Sequence, residues 1–514
     1  MNTFMNGLRN ATNYGYTENG GLKHKSTGSM VYDMFAHGAA MRNRTEADII
    51  LMFKNAFDED EAYALKCLFY IRDAREGQGE RRFFRTCMRW LAKEHPEAVR
   101  RNLEYLAFFG RWDDFYALVN TPLEAEMFAF LYKQLALDVQ CKTPSLLAKW
   151  LKSENTSSAE SRRLANRTRI AFKMSHKQYR KTLSILRERI NVLERLMSAN
   201  RWDEIEFDKI PSRAGMIYRN AFARHDLERQ KVDKSIQTYE EFAKDTNSKV
   251  NAKTLYPYEC VSKAIEYTNR HVRSYNYRTR AYEVLSEDFE NTERLMINKY
   301  WDNLTDYFAG ATLNGIVVAD TSGSMTGSSA SAPINIAISL ALYCAERNQG
   351  VFGGQYISFA SRPQLIKTEG VDFVDKVRRI YDTNLVDNTN LEATFDLLLN
   401  TALQTGCAQD EIPETVVIVS DMQIDSARGY YAHSSNVKTM MENMRDKWAQ
   451  YGYTLPKLVY WNVDARNNTI LDDGPNVSYV SGMSPVIFQQ ILTGKTGIDL
   501  MYDKLNAPRY ECIK

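Results

Sequence analysis

Hydrophobic residues in the first 310 positions recur at helical spacing, and no strand-like run interrupts them. The clearest apolar faces lie in residues 59–72 and 122–139, and breaks rich in glycine, proline or serine separate such segments. The triplet Arg-Trp-Asp occurs at 111–113 and again at 201–203, each time at the end of a helical pair. Short helical pairs cannot each bury their own apolar face. The pattern therefore predicts an all-α, HEAT-like helical repeat that is curved or ring-like, in a multidomain protein.

The pattern changes near residue 310, where strand-like and helical runs begin to alternate. This alternation predicts a doubly wound α/β sheet. The chain then divides into a loop-rich arm at 1–28, a helical repeat domain at 29–310 and an α/β domain at 311–514. The strand-like runs are 316–319, 355–359, 416–419, 458–463 and 477–480, and the helical runs are 335–347, 373–381, 393–403, 436–451 and 485–492.

A short apolar, β-branched run at 315–319 ends in Asp320 and a Ser/Gly turn. Such a run predicts a buried strand, and α/β sheets place their sites at the carboxyl ends of strands. Asp320, Ser322 and Ser324 follow the spacing D-x-S-x-S, so one turn carries a carboxylate and two hydroxyls, the oxygen ligands that a hard cation selects. The same residues also suit an N-cap and turn without a metal, because serine and aspartate are common there for local reasons.

Two later loops carry oxygen ligands in corresponding places. Asp421 ends a second apolar run, and Thr389 lies in a polar loop just before a helical run. The whole arrangement resembles the von Willebrand factor A domain with its metal-ion-dependent adhesion site. That resemblance implies a site for Mg²⁺ or another divalent cation, with an open position for a carboxylate from a partner protein. Asp387 departs from the pattern, since the family usually has glycine two residues before the threonine. The residues assigned to the metal are Asp320, Ser322, Ser324, Thr389 and Asp421.

Short stretches near the N-terminus carry a second resemblance. They are TENGGL at 17–22, STGS at 26–29, LFYIRD at 68–73, GQGER at 77–81 and GRWDD at 110–114. These stretches resemble the TROVE module of Ro-type RNA-binding proteins, and more closely an uncharacterised TROVE-like branch with the same two-part layout. With the A-type domain, the resemblance covers nearly the whole chain. It implies a ribonucleoprotein component whose helical ring is closed by the A domain and binds small structured or misfolded RNA.

Charge is unevenly distributed along the chain, although the net charge is only +2. Residues 311–514 carry 16 Lys/Arg and 22 Asp/Glu, a net of −6, which leaves +8 for residues 1–310. Residues 142–189 alone hold 13 basic and 3 acidic residues. Such a local excess predicts binding of RNA or another polyanion through its phosphates, with Tyr179 nearby for stacking. The basic residues expected to contact phosphate are Arg162, Arg163, Arg167, Arg169, Lys173, Lys177, Arg180 and Lys181.

The chain carries no motif of a known catalytic class. It has no Walker A sequence, no G-x-S-x-G and no arguable Cys/His pair, and its seven histidines lack the spacing of a zinc site. The alternating charges at 72–81, around Gly77 and Gly79, predict a structural ion-pair network at a helix junction rather than a catalytic group. We therefore expect a protein that is not an enzyme.

A second function stays open, a Mg²⁺-dependent protein-interaction adaptor or scaffold that acts through the A-type domain. The two functions differ in their tests, because RNA binding weakens steeply with salt, whereas a metal-bridged contact is lost with the cation or with Asp320. Seven scattered cysteines without a C-x-x-C pair favour a reduced, cytoplasmic location. With no apolar stretch near 18 residues, we expect no membrane association.

Overall fold

The computed structural model describes residues 13–16, 22–276, 281–284, 288–327, 329–359, 362–383, 390–423, 440–472 and 474–514. Helices dominate its N-terminal part, and a six-stranded mixed sheet with helices forms its C-terminal part. This confirms the predicted combination of a helical region and a following α/β region. Much of the predicted arm at 1–28 lies outside the described residues.

The helical region begins with a short antiparallel ladder of β1 (Tyr14–Tyr16) and β2 (Leu22–His24). Its helices are α1 (Met30–His37), α2 (Glu46–Glu59), α3 (Glu61–Arg72), α4 (Arg82–Glu94), α5 (Pro96–Asn102), α6 (Leu106–Phe109), α7 (Glu124–Gln140), α8 (Leu147–Trp150), α9 (Ala159–Ala171), α10 (His176–Arg189), α11 (Leu193–Ser198), α12 (Ser212–Arg224), α13 (Asp226–Val232), α14 (Tyr239–Lys244), α15 (Pro257–His271) and α16 (Thr292–Asp302).

Local sequence sets where many of these helices begin. The side chains of Thr45 and Asp60 accept hydrogen bonds from the N–H groups of Asp48 and Tyr63, so that α2 and α3 each begin one residue after their cap. Between the caps, apolar side chains such as Phe53 face inward at helical spacing. The polar cap residues and the apolar faces therefore specify the same helices.

One prediction about the helical region was wrong. An antiparallel ladder of β3 (Arg273–Asn276) and β4 (Ala281–Val284) interrupts the helices, although no strand-like run was expected there. Helices α10 and α11 are separated at Asn191, whose φ is 46°. Asparagine adopts this left-handed conformation more readily than most residues, and it separates α10 from α11.

The C-terminal sheet has the order β10-β9-β8-β5-β6-β7, and only the β6–β7 pairing is antiparallel. The run that begins at Gly315 forms the central strand, which is buried along its whole length. The strands are β5 (Gly315–Asp320), β6 (Gln355–Phe359), β7 (Gln364–Lys367), β8 (Thr415–Ser420), β9 (Lys457–Asn462) and β10 (Val477–Ser481). The helices are α17 (Pro333–Arg347), α18 (Phe373–Thr383), α19 (Leu391–Thr405), α20 (Met440–Gln450), α21 (Ile487–Ile491) and α22 (Gly497–Leu505).

Helix α1 covers the outer strand β10 of this sheet. The backbone N–H of Tyr479 donates to Tyr32 Oη at 2.8 Å. The hydroxyl of Ser481 donates to the Phe35 carbonyl at 2.9 Å and accepts from the Ala39 N–H at 3.2 Å. Strand β10, which has no neighbour on its outer side among the described residues, thus finds hydrogen-bond partners in α1 and the residues just after it.

The last helices of the helical region also pack on the α/β region. Helix α15 contacts α17 and α18, and α16 contacts α18. In the second contact, Arg294 forms an ion pair with Asp372, with Nε 2.7 Å from Oδ2. Trp301 stacks on Phe373 with ring centroids 4.1 Å apart. Both ends of the helical region are therefore held by the same α/β region.

The two ends of the helical region also meet each other. Tyr256 Oη, just before α15, donates to the Gln78 carbonyl at 3.0 Å. The close approach requires glycine at the next position, because Gly79 has a φ of +65° and an added Cβ would lie 1.9 Å from Tyr256 Oη. The C-terminal tail joins this region, where Arg509 and Tyr510 both hydrogen-bond to buried Asp73.

Within the described ranges, no helix combines the length and apolar character needed to cross a bilayer.

His37 at the end of α1 ties folding to pH. The side chain is buried beside Asn462, and burial lowers the pKa of His37 to about 3 from its ordinary 6.5, with smaller effects from Arg44 and Lys23. Between about pH 3 and pH 6.5, His37 is therefore protonated in the unfolded chain and neutral in the folded chain. We expect this residue to lower the free energy of unfolding by up to about 1.4 kcal/mol per pH unit as pH falls from 6.5 towards 3.

Chemical denaturation at several pH values measures this effect. The variant His37→Gln has a shallower dependence of stability on pH than the wild type, whatever its stability at neutral pH. The exposed His176→Gln serves as the control and keeps the wild-type slope. An unchanged slope in His37→Gln would contradict the assignment.

Candidate functional site at the carboxyl edge of the sheet

The central strand β5 delivers Asp320 to the carboxyl edge of the sheet. Its neighbour β8 runs parallel, so Ser420 and Asp421 reach the same edge. Strand β9 is parallel to β8 and ends at Asn462. Because the carboxyl ends of parallel strands share one edge, three apolar strands bring polar loops together here.

Asp320 is fully buried and held by two hydrogen bonds. Ser420 Oγ donates to its Oδ2 at 2.5 Å, and the Ser322 N–H donates to its Oδ1 at 2.9 Å. The hydroxyls of Ser322 and Ser324 lie 3.1 Å apart on the same turn. Burial raises the pKa of Asp320 to about 7, the Ser420 hydrogen bond lowers it, and the charge of Asp421 raises it further. The ionised form of Asp320 is therefore unfavourable in this buried position, and a bound cation would offset that free-energy cost.

Asp421 has a buried oxygen that accepts no hydrogen bond from the described residues. Its Oδ1 accepts from the Gln423 N–H at 3.1 Å, while Oδ2 has only a long ion-pair contact, 3.8 Å from Arg466 Nε. Burial raises the pKa of Asp421. The next residue, Met422, has a φ of 61°, an uncommon conformation for a residue with a side chain. Such backbone strain is concentrated at functional sites, because the surrounding fold must maintain it.

Sequence reasoning missed two charged residues of this edge, Asp464 and Arg466, in the loop after β9. Arg466 Nη2 donates to the Ser324 carbonyl at 2.6 Å, and its Nε lies 3.3 Å from Asp464 Oδ2 and 3.8 Å from Asp421 Oδ2. The apolar run 458–463 ends in a polar loop, as the run before Asp320 does. This signal in the sequence could have indicated Asp464 and Arg466.

The structure brings together four of the five predicted metal ligands, and the fifth, Thr389, lies outside the described residues. The unpartnered oxygen of Asp421, together with the hydroxyls of Ser322 and Ser324, fits a hard divalent cation. Within the described part of the chain, no group of three or more His, Cys, Asp or Glu side chains is placed to hold a metal ion. Hydroxyls and water would have to supply the other ligands.

The predicted phosphate contacts divide into two groups in the structure. Tyr179 is fully buried, with its Oη donating to the Lys152 carbonyl, and is not available for stacking. The first group is engaged within the protein: Arg162 with the carbonyls of Thr156 and Ser157, Arg163 with Glu160, Arg167 with Glu124, and Arg169 with Glu154. The second group is exposed and has no partner among the described residues: Lys173, Lys177, Arg180 and Lys181.

Fold and site together define a two-part protein, a helical region closed onto an α/β region with an acidic strand-end site. The chain belongs to the family described as domain of unknown function (DUF2828), whose model matches residues 17–143 and 135–310. A second domain of unknown function (DUF7788) matches residues 314–507. A similar protein is the uncharacterized protein L728 of Acanthamoeba polyphaga mimivirus, 27% identical over 522 residues that cover 94% of this chain and 85% of that protein.

The assignment to Ro-type TROVE proteins with a von Willebrand A domain was therefore wrong. The families that match are the two domains of unknown function, and neither a TROVE nor a von Willebrand A family is among them. A turn such as D-x-S-x-S follows from strand-end geometry that unrelated sheets share, so a short motif of this kind does not define a family.

Because Asp421 Oδ2 accepts no hydrogen bond from the described residues, we can predict how a neutral substitution of Asp421 changes the melting temperature. In buffer without divalent cations, we expect Asp421→Asn to melt at the wild-type temperature or above it. The amide avoids the cost of burying a charge whose ion-pair contact, with partly exposed Arg466 at 3.8 Å, is long. Asp464→Asn is the matched control. We expect it to melt lower, since Asp464 accepts a hydrogen bond from Asn43 at 2.9 Å and contacts Arg466. Thermal melts followed by circular dichroism measure both, and a clear loss of stability in Asp421→Asn would contradict this account.

Proposed function

We propose that this protein binds RNA without catalysing a reaction on it, and that the beginning of α10 holds the RNA phosphates. The observation behind the proposal is the group of four exposed cations with no partner among the described residues. Lys177, Arg180 and Lys181 lie three and four positions apart, so they share one face of α10. Lys173 precedes the helix on the same segment. Cations that the fold does not use are free to neutralise phosphate.

The helical region also suits this role as a scaffold. We infer that its helical pairs act as a curved, repeat-like support, because both ends of the helical region are held by the α/β region while α9 and α10 lie in the middle of the helical region. A compact, structured RNA fits a localised basic face better than it fits an extended groove. The partner class is thus a small structured RNA in a ribonucleoprotein.

Salt dependence tests the proposal. Fluorescence anisotropy with a labelled RNA hairpin gives Kd at several salt concentrations. We expect the variant Lys173→Gln/Lys177→Gln/Arg180→Gln/Lys181→Gln to bind more weakly and to lose about 3 from the slope of log Kd against log salt, since each phosphate contact contributes roughly 0.7–0.9.

A matched control removes four exposed lysines from other segments. The variant Lys54→Gln/Lys93→Gln/Lys133→Gln/Lys253→Gln makes the same change of charge and keeps the wild-type slope. Equal losses in both variants, or equal affinity for duplex DNA of the same length, would reduce the proposal to general charge attraction.

The buried Oδ2 of Asp421 accepts no hydrogen bond from the described residues. This observation favours a second candidate function, a cation-dependent contact with another protein. Asp320, Ser322, Ser324 and Asp421 would hold Mg²⁺, and the metal would supply a positive centre for a carboxylate of the partner. This function and RNA binding use different regions, so one variant separates them.

Mg²⁺ titration tests this second candidate. A ligand present at about 100 times its Kd stabilises the folded state by about 2.7 kcal/mol, so Mg²⁺ raises the melting temperature of the wild type. Asp320→Ala removes that increase and leaves the Kd for RNA unchanged. A wild-type melting temperature that is the same in Mg²⁺ and in EDTA would rule out the metal site.

A further inference from the structure

A polar cavity of about 650 Å³ lies where the two ends of the helical region meet the α/β region. Its wall includes Gly79, at the junction with Tyr256, and it also includes Ser331 and Met483 of the α/β region. The cavity therefore exists only because the chain closes on itself. A volume of this size is typical of small-molecule sites and is too small for a nucleic-acid duplex.

Arginine dominates the charge of this cavity. Six arginines line it against three glutamates, Glu46, Glu80 and Glu259. Three of the six already form ion pairs within the protein: Arg85 with Asp113 and Asp114, Arg89 with Glu46 and Arg213 with Glu259. The positive charge that remains favours an anion. The arginines are Arg42, Arg81, Arg82, Arg85, Arg89 and Arg213.

Several of these guanidinium groups retain unused hydrogen-bonding capacity. Arg81 is exposed and makes no ion pair or hydrogen bond with its side chain among the described residues. Arg42 donates through Nη2 to the Val463 carbonyl at 2.7 Å, while its Nε is buried without a partner. Arg89 is 43% exposed and donates to both carboxylate oxygens of Glu46 through Nη1, at 3.3 and 3.4 Å, so its other two nitrogens have no acceptor among the described residues. The fold thus leaves donors aimed at no acceptor of its own.

The N-terminus of α4 adds to this positive character. The helix has 13 residues, no acidic residue in its first turn and no capping hydrogen bond from the side chain of Arg81, the residue before it. Arg81 and Arg82 stand at that end, where the helix dipole disfavours cations. Glu80 offers one carboxylate oxygen to the Arg82 N–H at 2.8 Å. Guanidinium groups beside a helix N-terminus form a setting that favours a phosphate anion.

We propose that this cavity binds a small ligand that carries several phosphate groups, of the size of a nucleoside triphosphate. Arg81 and Arg89 would face the phosphates from the α4 side. Arg82 and Arg213 would add the donors that their contacts with the carbonyls of Arg42 and Arg44 and with Glu259 leave unused. Half-buried Tyr258 adds an aromatic ring to the wall. Because the arginines come from both ends of the helical region, the bound ligand also strengthens the closure between them.

Isothermal titration calorimetry with inorganic triphosphate, in buffer free of divalent cations, tests the site on the full chain. We expect one binding event per chain in the wild type. The variant Arg81→Gln/Arg89→Gln should raise Kd at least about tenfold, equivalent to about 1.4 kcal/mol. Both side chains make few contacts within the protein, so a wild-type melting curve without ligand shows that the variant folds.

The control variant Lys177→Gln/Arg180→Gln changes the same charge on α10 and should keep the wild-type Kd for triphosphate. Equal weakening in both variants, or no binding by the wild type, would overturn the proposal. Displacement of a bound RNA hairpin by saturating triphosphate would also overturn it, because the cavity would then be part of the RNA path. The RNA proposal stands or falls separately, on the four cations near α10.

Discussion

Helix α1 covers the outer edge of the six-stranded sheet, and the rest of the architecture depends on this contact. Strand β10 would otherwise present unpaired backbone groups to solvent, which is unfavourable and promotes association with other chains. Tyr32 and the α1 backbone satisfy groups on that strand. Segments almost 450 residues apart are thereby fixed together, and the loop-closure entropy of such a contact must be offset by its burial.

Closure is reinforced at two further places. Arg509 and Tyr510 of the tail meet buried Asp73, and Arg294 of the last long helix meets Asp372. An ion pair with one buried partner contributes little by itself, but removing either member leaves an uncompensated charge. Because of these contacts, the stability of the helical region and that of the α/β region depend on each other.

The two candidate sites carry opposite kinds of unmatched charge. At the sheet edge, one oxygen of buried Asp421 accepts no hydrogen bond from the described residues, and at the junction the arginines that line the cavity outnumber the glutamates that line it. Unmatched charge of either sign costs stability, and an ion of the opposite sign offsets that cost. Sequences usually avoid such local conflicts, and for this reason we propose both places as binding sites.

The sequence by itself determined the division into helical and α/β regions and the position of the strand-end turn at Asp320. Both follow from local causes, the period of apolar residues and the residue types of a turn, and these act over a few positions. Asp421 could be found in the same way. Family membership could not, because the short motifs describe a turn that different folds share.

Only the tertiary structure decided which charges are used within the protein and which remain free. Arg167 is neutralised by Glu124, 43 positions away, whereas Lys177 has no such partner in the part of the chain that the structure describes. The arginine cavity brings together positions as distant as Arg42 and Arg213. Such groupings depend on how helices pack after closure, and no periodicity along the chain records them, because side chains distant in sequence meet only through burial of the faces between them.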